Sequence, residues 1–244
     1  MLRLIIDVGN TNIKFGFFDK KLLFVKILST KKYSKLALKK MLTLHHLEKI
    51  YIGSVVSQIT RTMVSDLQAL TKVHVHLIKA TDFINEFNLT KFNINEIGTD
   101  LLSLALWVKK TYQQGIAISF GTASFAVVVK KNHFIGAAIG PSIELGAKQL
   151  VITTALIQNK HFSNAAYQLS FGQDTKTSLL SGCGHMAKGF VLSVMEYAQK
   201  YYGIFKTLVT GGNTNQLHFL EKIHHAQVVD HATLLGYFYL SQII

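Results

Sequence analysis

One pattern limits what this chain can fold into more than any other: an apolar strand, a short glycine turn and a second apolar strand, met twice. Leu4-Ile5-Ile6-Asp7-Val8 runs into Gly9-Asn10-Thr11 and leaves as Asn12-Ile13-Lys14-Phe15-Gly16. Farther on, Ile116-Ala117-Ile118-Ser119-Phe120 runs into Gly121-Thr122, one turn residue fewer, and leaves as Ala123–Val129. In both places a polar turn follows, Asp19-Lys20-Lys21 and then Lys130-Lys131-Asn132-His133, and a third apolar strand comes after it, Leu22–Ile27 and Phe134–Ile139. Agreement in the order and spacing of elements argues for two copies of one unit, with a boundary near Gln113–Gly115. The expected units are 1–114 and 115–244.

Hydrophobic spacing fills in the rest. A helix is predicted over Lys35–Leu47, a strand over Ile50–Val56, a helix over Ile59–Leu70 and a strand over Val73–Ile78. Phe83–Glu96 reads as a polar loop. A helix follows over Thr99–Tyr112, with Thr99 as N-cap and Asp100 in the first turn. The second half gives a helix over Ile143–Ile157, a link to Asp174, and a long helix over Lys176–Tyr202 interrupted at Gly182 and Gly184. The strand Thr207–Val209 then ends in Thr210-Gly211-Gly212-Asn213, and Val228-Val229 and a closing helix, Ala232–Ile243, complete the chain. Alternating strands and helices place the fold in the α/β class.

A lone carboxylate at the end of a buried strand costs free energy unless a cation meets it. The chain has only 13 acidic residues among 244, so Asp7 inside an apolar run calls for a reason. The small residues after it leave the turn bare, with N–H and hydroxyl groups free to face an anion. Together they suggest a site for Mg²⁺ and nucleotide phosphates. No Walker A loop and no Gly-x-Gly-x-x-Gly after a strand compete with this reading. His74-x-His76 and His224-His225 lack a Cys or acid cluster, which argues against zinc. Ser181-Gly182-Cys183-Gly184-His185 falls inside a helix rather than at a strand-to-helix elbow, so it is assigned to packing.

Composition narrows the setting. Hydrophobic residues are 49% and charged residues 16%, enough for a sizeable core. Cys183 is the only cysteine, which excludes an internal disulfide and fits a reducing compartment. Asp7 and Asn10 interrupt the first apolar stretch too early for a secretory signal, and Gly115 to Val129 is too short and polar for a membrane span. The net charge of +13 favours anionic partners. Its lysines are scattered in pairs such as Lys31-Lys32 and Lys109-Lys110, with no basic arm interleaved with aromatics. No nucleic-acid or membrane partner is therefore expected, and the expected location is cytoplasmic.

Two such units resemble the actin-like superfamily of sugar kinases and heat-shock ATPases, with ribonuclease-H-like mixed sheets flanked by helices. The fuller resemblance is to the type III pantothenate kinases. Asp7-Val8-Gly9-Asn10-Thr11 is similar to that family's first phosphate motif. Gly98-Thr99-Asp100 resembles the start of Gly-x-Asp-Arg, and Gly121-Thr122-Ala123 the end of Asp-x-Gly-Thr-Ala. Ile139-Gly140-Pro141 resembles part of Gly-Gly-x-Ile-x-Pro-Gly. Asp174-Thr175 with Ser181-Gly182 is similar to Asn-Thr…Gln-Ser-Gly, and Thr210-Gly211-Gly212 to the adenosine-side motif.

The resemblance implies ATP-dependent phosphorylation of pantothenate to 4'-phosphopantothenate, the first step of coenzyme A biosynthesis. It also implies Mg²⁺, a monovalent cation (K⁺ or NH₄⁺) and a homodimer built on a helix of the second unit. On this basis Asp100 would be the general base. Asp7, Val8, Gly9, Asn10, Thr11, Asn12, Ile13 and Lys14 would bind ATP, with Thr122 across the cleft and Asp7 on Mg²⁺. Lys91, Gly98, Thr99, Asp100, Leu101 and Thr175 would line the substrate, although Thr175 could equally cap the helix after it. The chain departs from the family at several of these positions. Ser119 stands where the family has an Asp for the monovalent cation, and a hydroxyl brings no formal charge. Leu101 stands where an Arg would hold the substrate carboxylate, a task Leu cannot perform. Lys91 replaces an aromatic and would supply the positive charge lost with that Arg. Ser142 and Ala137 replace glycines. A relative that binds nucleotide or metabolite as a regulator, with weakened or lost chemistry, is the alternative.

Overall fold

The computed structural model describes residues 2–42, 46–153 and 166–244. They group into two compact units, Met1–Thr111 with Ala232–Ile244, and Tyr112–His231.

The first unit opens with a meander of β1 (Leu2–Val8), β2 (Asn12–Phe18) and β3 (Leu22–Ser29), followed by α1 (Lys35–Met41), β4 (Leu47–Ser54), α2 (Ser57–Leu70), β5 (His74–Leu77) and α3 (Thr99–Tyr112). Its sheet has the order β3-β2-β1-β4-β5. The meander pairs are antiparallel, and β4 and β5 continue the sheet in parallel. Leu4, Ile5, Ile6 and Val8 are fully buried, as expected of a central strand covered on both faces. On one face Leu4, Ile6, Phe15 and Phe17 pack with Leu38 of α1 and Met63 and Leu67 of α2.

The second unit repeats the plan with β6 (Gly115–Phe120), β7 (Ala123–Lys130), β8 (His133–Pro141), α4 (Ile143–Thr153), α5 (Thr175–Tyr202), β9 (Thr207–Thr210) and β10 (Ala226–Val228). Its sheet order is β10-β9-β6-β7-β8, the same topology as the first. The internal repeat read from the sequence is therefore a repeat of topology, and register makes the equivalence residue by residue. Asp7 lies between Lys14 of β2 and Gly53 of β4. Ser119 lies between Phe125 of β7 and Thr210 of β9. Where the first copy sets an aspartate opposite a lysine, the second sets a hydroxyl opposite a phenyl ring.

Several expectations are corrected. α1 stops at Met41, and Leu47, expected to end that helix, opens β4, where pairing with β1 satisfies its backbone. α5 runs unbroken through Gly182 and Gly184, because Ser181, Cys183, Gly184 and Ala187 all turn a buried face to the core. The last part of the helix expected over Ile143–Ile157 lies outside the described residues. The closing helix α6 (Ala232–Leu240) groups with the first unit instead of the expected 115–244. Its side chains explain this: Phe238 stacks on Phe18 with ring centroids 4.4 Å apart, and the Tyr51 hydroxyl donates to the Ser241 carbonyl at 3.2 Å.

Candidate active site

In the first unit, Asp7 and Lys14 face each other directly across the β1–β2 pair. Opposite side chains in such a pair stand close enough to interact. Val8 and Ile13, the next pair, are fully buried and anchor both ends of the turn. Between them the Gly9 N–H donates to the Asn12 carbonyl at 3.0 Å, and Asn10, Thr11 and Asn12 are exposed. The turn is pinned from below by Thr30, whose hydroxyl donates to the Gly9 carbonyl at 2.7 Å and whose N–H donates to the Thr11 carbonyl at 2.9 Å. The result is a fixed polar loop above a half-buried carboxylate.

Asp100 comes to the same place from the first turn of α3. The field of its carboxylate reaches Asp7, and both acids reach the Tyr237 phenol of α6. Asp100 Oδ1 accepts from the Leu101 N–H at 2.9 Å. Burial outweighs this bond and raises the Asp100 pKa above the ordinary carboxylate range. Burial also raises Asp7 to about 6; Lys14 pulls it down, while Asp100 pushes it up. Two acids within reach of each other's field, each reluctant to ionise, mark a corner where a cation or a proton is wanted.

Thr99 is not the N-cap of α3. The Gly98 carbonyl accepts the first bond of the helix, from the Leu102 N–H at 3.3 Å, which puts Gly98 at the cap and Thr99 in the first turn. Thr99 Oγ1 instead shares a buried 2.9 Å hydrogen bond with the Tyr237 hydroxyl. Leu101 is buried and packs inward. Lys91 is exposed on the loop before α3. Neighbouring residues of that loop, among them Asn85, Asn88 and Thr90, line an open cleft of about 610 Å³. Glu86 ties the loop to α3 through Lys109 at 3.0 Å and Lys110 at 2.9 Å, which holds the Glu86 carboxyl below its usual range against the opposing effect of burial.

The remaining expected residues belong to the second unit. Ser119 is buried, and Thr122 follows Gly121 in the turn. There the Asn213 amide donates to the Gly121 carbonyl at 3.3 Å and the Asn213 N–H to the Phe120 carbonyl at 3.1 Å. Gly211, at φ +114°, lets its backbone lie against that of Phe120, where a Cβ would overlap it. Thr210-Gly211-Gly212-Asn213 thus backs the second turn. Thr175 opens α5 but does not cap it: Asp174 does, accepting from the Thr177 N–H at 2.9 Å. His76 does have an acid beside it, Asp82 at 2.9 Å. Among the described residues no group of three or more His, Cys, Asp or Glu could hold a metal ion.

Sequence reasoning missed Tyr237 and Gly53. A glycine closing the run Ile50-Tyr51-Ile52 was the available signal, since a glycine in a buried strand marks a close approach. A Cβ there would run into the Tyr237 ring.

A repeated meander with crossover helices and polar turns at the strand ends is the actin-like fold, built twice in tandem. A ROK hexokinase from Thermus thermophilus shares the fold at a TM-score of 0.53 and 14% identity, over 100% of each chain. A Campylobacter jejuni protein named as a Baf family transcriptional activator shares it at 0.62 and 19%, over 98% of each. The family model for type III pantothenate kinase matches residues 3–197, and the chain belongs to that family. A type III pantothenate kinase of Malacoplasma penetrans is 25% identical over 243 residues, covering 96% of this chain and 94% of its own.

Proposed function

We infer that this protein transfers the γ-phosphoryl group of ATP to pantothenate, giving 4'-phosphopantothenate and so opening coenzyme A biosynthesis. The observation that carries the reading is the first-unit corner: Asp7, Lys14 and Asp100 gathered at a pinned polar turn, in a chain of this family.

Asp100 is the general base. A carboxylate with a raised proton affinity suits a hydroxyl that loses its proton as the phosphoryl group moves, and in phosphoryl transfer much of the catalysis is orientation of that nucleophile. Val8, Gly9, Asn10, Thr11, Asn12 and Ile13 form the phosphate turn, and Lys14 offsets phosphate charge. Thr122 in the second unit is a further phosphate contact. Lys91, Gly98, Thr99, Leu101 and Thr175 are assigned to the substrate side. Leu101 cannot clamp a carboxylate, so Lys91 provides the positive charge for pantothenate.

The residues fit Mg²⁺: Asp7 is a hard oxygen donor whose raised pKa reports unmet negative charge, and it would hold the ion directly or through water. A bound Mg²⁺ neutralises charge on the phosphates. Ser119 offers a monovalent cation only a neutral oxygen. Exposed Leu145 and Leu150 on α4, and Met186, Leu192, Tyr197 and Tyr201 on α5, support a homodimer through the second unit. No helix of the described residues is long and apolar enough to cross a membrane. The free thiol of Cys183 supports a cytoplasmic setting.

A coupled ADP-release assay with pantothenate, MgCl₂ and KCl or NH₄Cl tests the reading. Turnover is expected, and Asp100→Asn should lower kcat by about 100-fold or more, the usual share of a general base. Absence of wild-type turnover refutes the function. Turnover unchanged by Asp100→Asn refutes the role of Asp100.

A further inference from the structure

We propose that Tyr237 is a positioning residue of this kinase: through its hydrogen bond to Thr99 it holds the N-terminus of α3, and with it Asp100, in place relative to Asp7. The proposal rests on the assignment of Asp7 and Asp100 to the phosphoryl-transfer site.

The geometry assigns this role from both ends of the side chain. The Tyr237 ring occupies the space over Gly53, where a Cβ would overlap it. Gly53 is the register partner of Asp7 on the neighbouring parallel strand. The ring therefore sits on the sheet one strand away from the first carboxylate. The other end of Tyr237 reaches Thr99, adjacent in sequence to the second carboxylate, at 2.9 Å. One rigid, fully buried side chain thus spans the distance between the strand beside that of Asp7 and the helix turn that bears Asp100.

The helix that carries Tyr237 is itself fixed against α3. A Cβ at Gly236 would run into the backbone of Ser103, so the two helices are in backbone contact there. The Ser103 hydroxyl donates to the Thr233 carbonyl at 2.7 Å. These contacts already dock α6 on α3, one turn along from the site. The Thr99 bond adds a polar tie at the one turn of α3 where the carboxylate is used. Burial and the nearby Asp7 and Asp100 hold the phenol protonated, far above the ordinary tyrosine range. The hydroxyl therefore remains an O–H at every working pH, and its value lies in where it holds Thr99 rather than in exchanging a proton.

Phosphoryl transfer is sensitive to this kind of alignment, because a nucleophile held off line loses rate without losing binding. The effect belongs in kcat. ATP affinity, set by the β1–β2 turn and Lys14, should be left alone.

A double-mutant cycle on the full-length protein tests the proposal, with wild type, Tyr237→Phe, Thr99→Val and the double variant assayed for pantothenate-dependent ADP release. Tyr237→Phe keeps the ring over Gly53 and removes only the hydroxyl, and Thr99→Val removes the same bond from its other end. Tyr237→Phe is expected to lower kcat about 10-fold with the KM for ATP within 2-fold, roughly the effect of one lost buried hydrogen bond. The double variant should be no slower than the slower single variant, since one bond cannot be lost twice. Thr99→Ser, which keeps the hydroxyl, should restore most of the rate. Melting temperatures taken alongside confirm that all variants are folded at the assay temperature. Independent, multiplicative losses in the double variant overturn the proposal, and so does a Tyr237→Phe rate equal to wild type. Failure of the wild type to turn over overturns the kinase assignment instead, so the two failures are told apart by one control.

Discussion

Asp7→Asn should make the ligand-free protein more stable while abolishing its use of MgATP. Asp7 has a pKa of about 6 in the fold against 3.8 for an ordinary aspartate, chiefly because it is buried. Between about pH 4 and pH 6 the folded chain keeps a proton that the unfolded chain has released. Stability therefore falls as pH rises through that window, and the full penalty is present above it. A shift of about two units corresponds to about 3 kcal/mol. Asp7 keeps partial solvent access, so about 1–3 kcal/mol is the expected range. Asparagine imitates the protonated acid and carries no charge at any pH. Wild type and Asp7→Asn should accordingly unfold alike near pH 4, whereas at pH 8 the variant should melt about 2–12 °C higher, using about 2–4 °C per kcal/mol for a chain of this size. Scanning calorimetry at both pH values reads the difference directly. With MgATP at 100 times its Kd, the wild type should gain about 2.7 kcal/mol and the variant nothing. A gap that is the same at pH 4 and pH 8, or a variant less stable at pH 8, would refute the argument that Asp7 is a destabilised anion awaiting a cation.

Two other substitutions probe the same architecture. Gly53→Ala drives a Cβ into the Tyr237 ring, and should cost about 1–3 kcal/mol in urea unfolding and lower kcat, because the ring must move and Thr99 with it. Ser119→Asp places a carboxylate between Phe125 and Thr210 with no lysine opposite, so its melting temperature should fall in sodium-free, potassium-free buffer and recover on addition of KCl or NH₄Cl. Equal melting temperatures with and without these cations would show that the position does not form a monovalent cation site.

What was legible in the sequence was local. The two strand–turn–strand copies, their offset by one turn residue and the odd carboxylate at Asp7 all lie in short windows where period-two apolar patterning and glycine turns speak plainly. The pairing of Asp7 with Lys14 was not read, although a tight turn between two short strands sets it. What escaped depends on partners distant in sequence. Thr99 looks like an N-cap because its natural competitor, a tyrosine 138 residues later, cannot be seen from the helix start. Leu47 carries a helical spacing but pairs with β1, so sheet hydrogen bonding overrides propensity there. The glycines of α5 read as breaks, yet burial of one helix face outweighs the roughly 1 kcal/mol each removes from helix propensity. The position of α6 could not be read at all. An apolar helix at the end of a chain says only that it is covered, not by which sheet.

That last placement sets the order in which the molecule can be completed during synthesis. The face of the first sheet that bears Asp7 is sealed by a helix made after the entire second unit, and the bond from Tyr51 to Ser241 spans 190 positions. Every residue of the second unit lies between the two parts of the first. On the ribosome the second unit can therefore close as soon as it emerges, while the older first unit waits with an apolar face open until α6 is released. The β1–β2 turn and Asp100 are translated before the second unit, but the corner they form is covered only once α6 has been made.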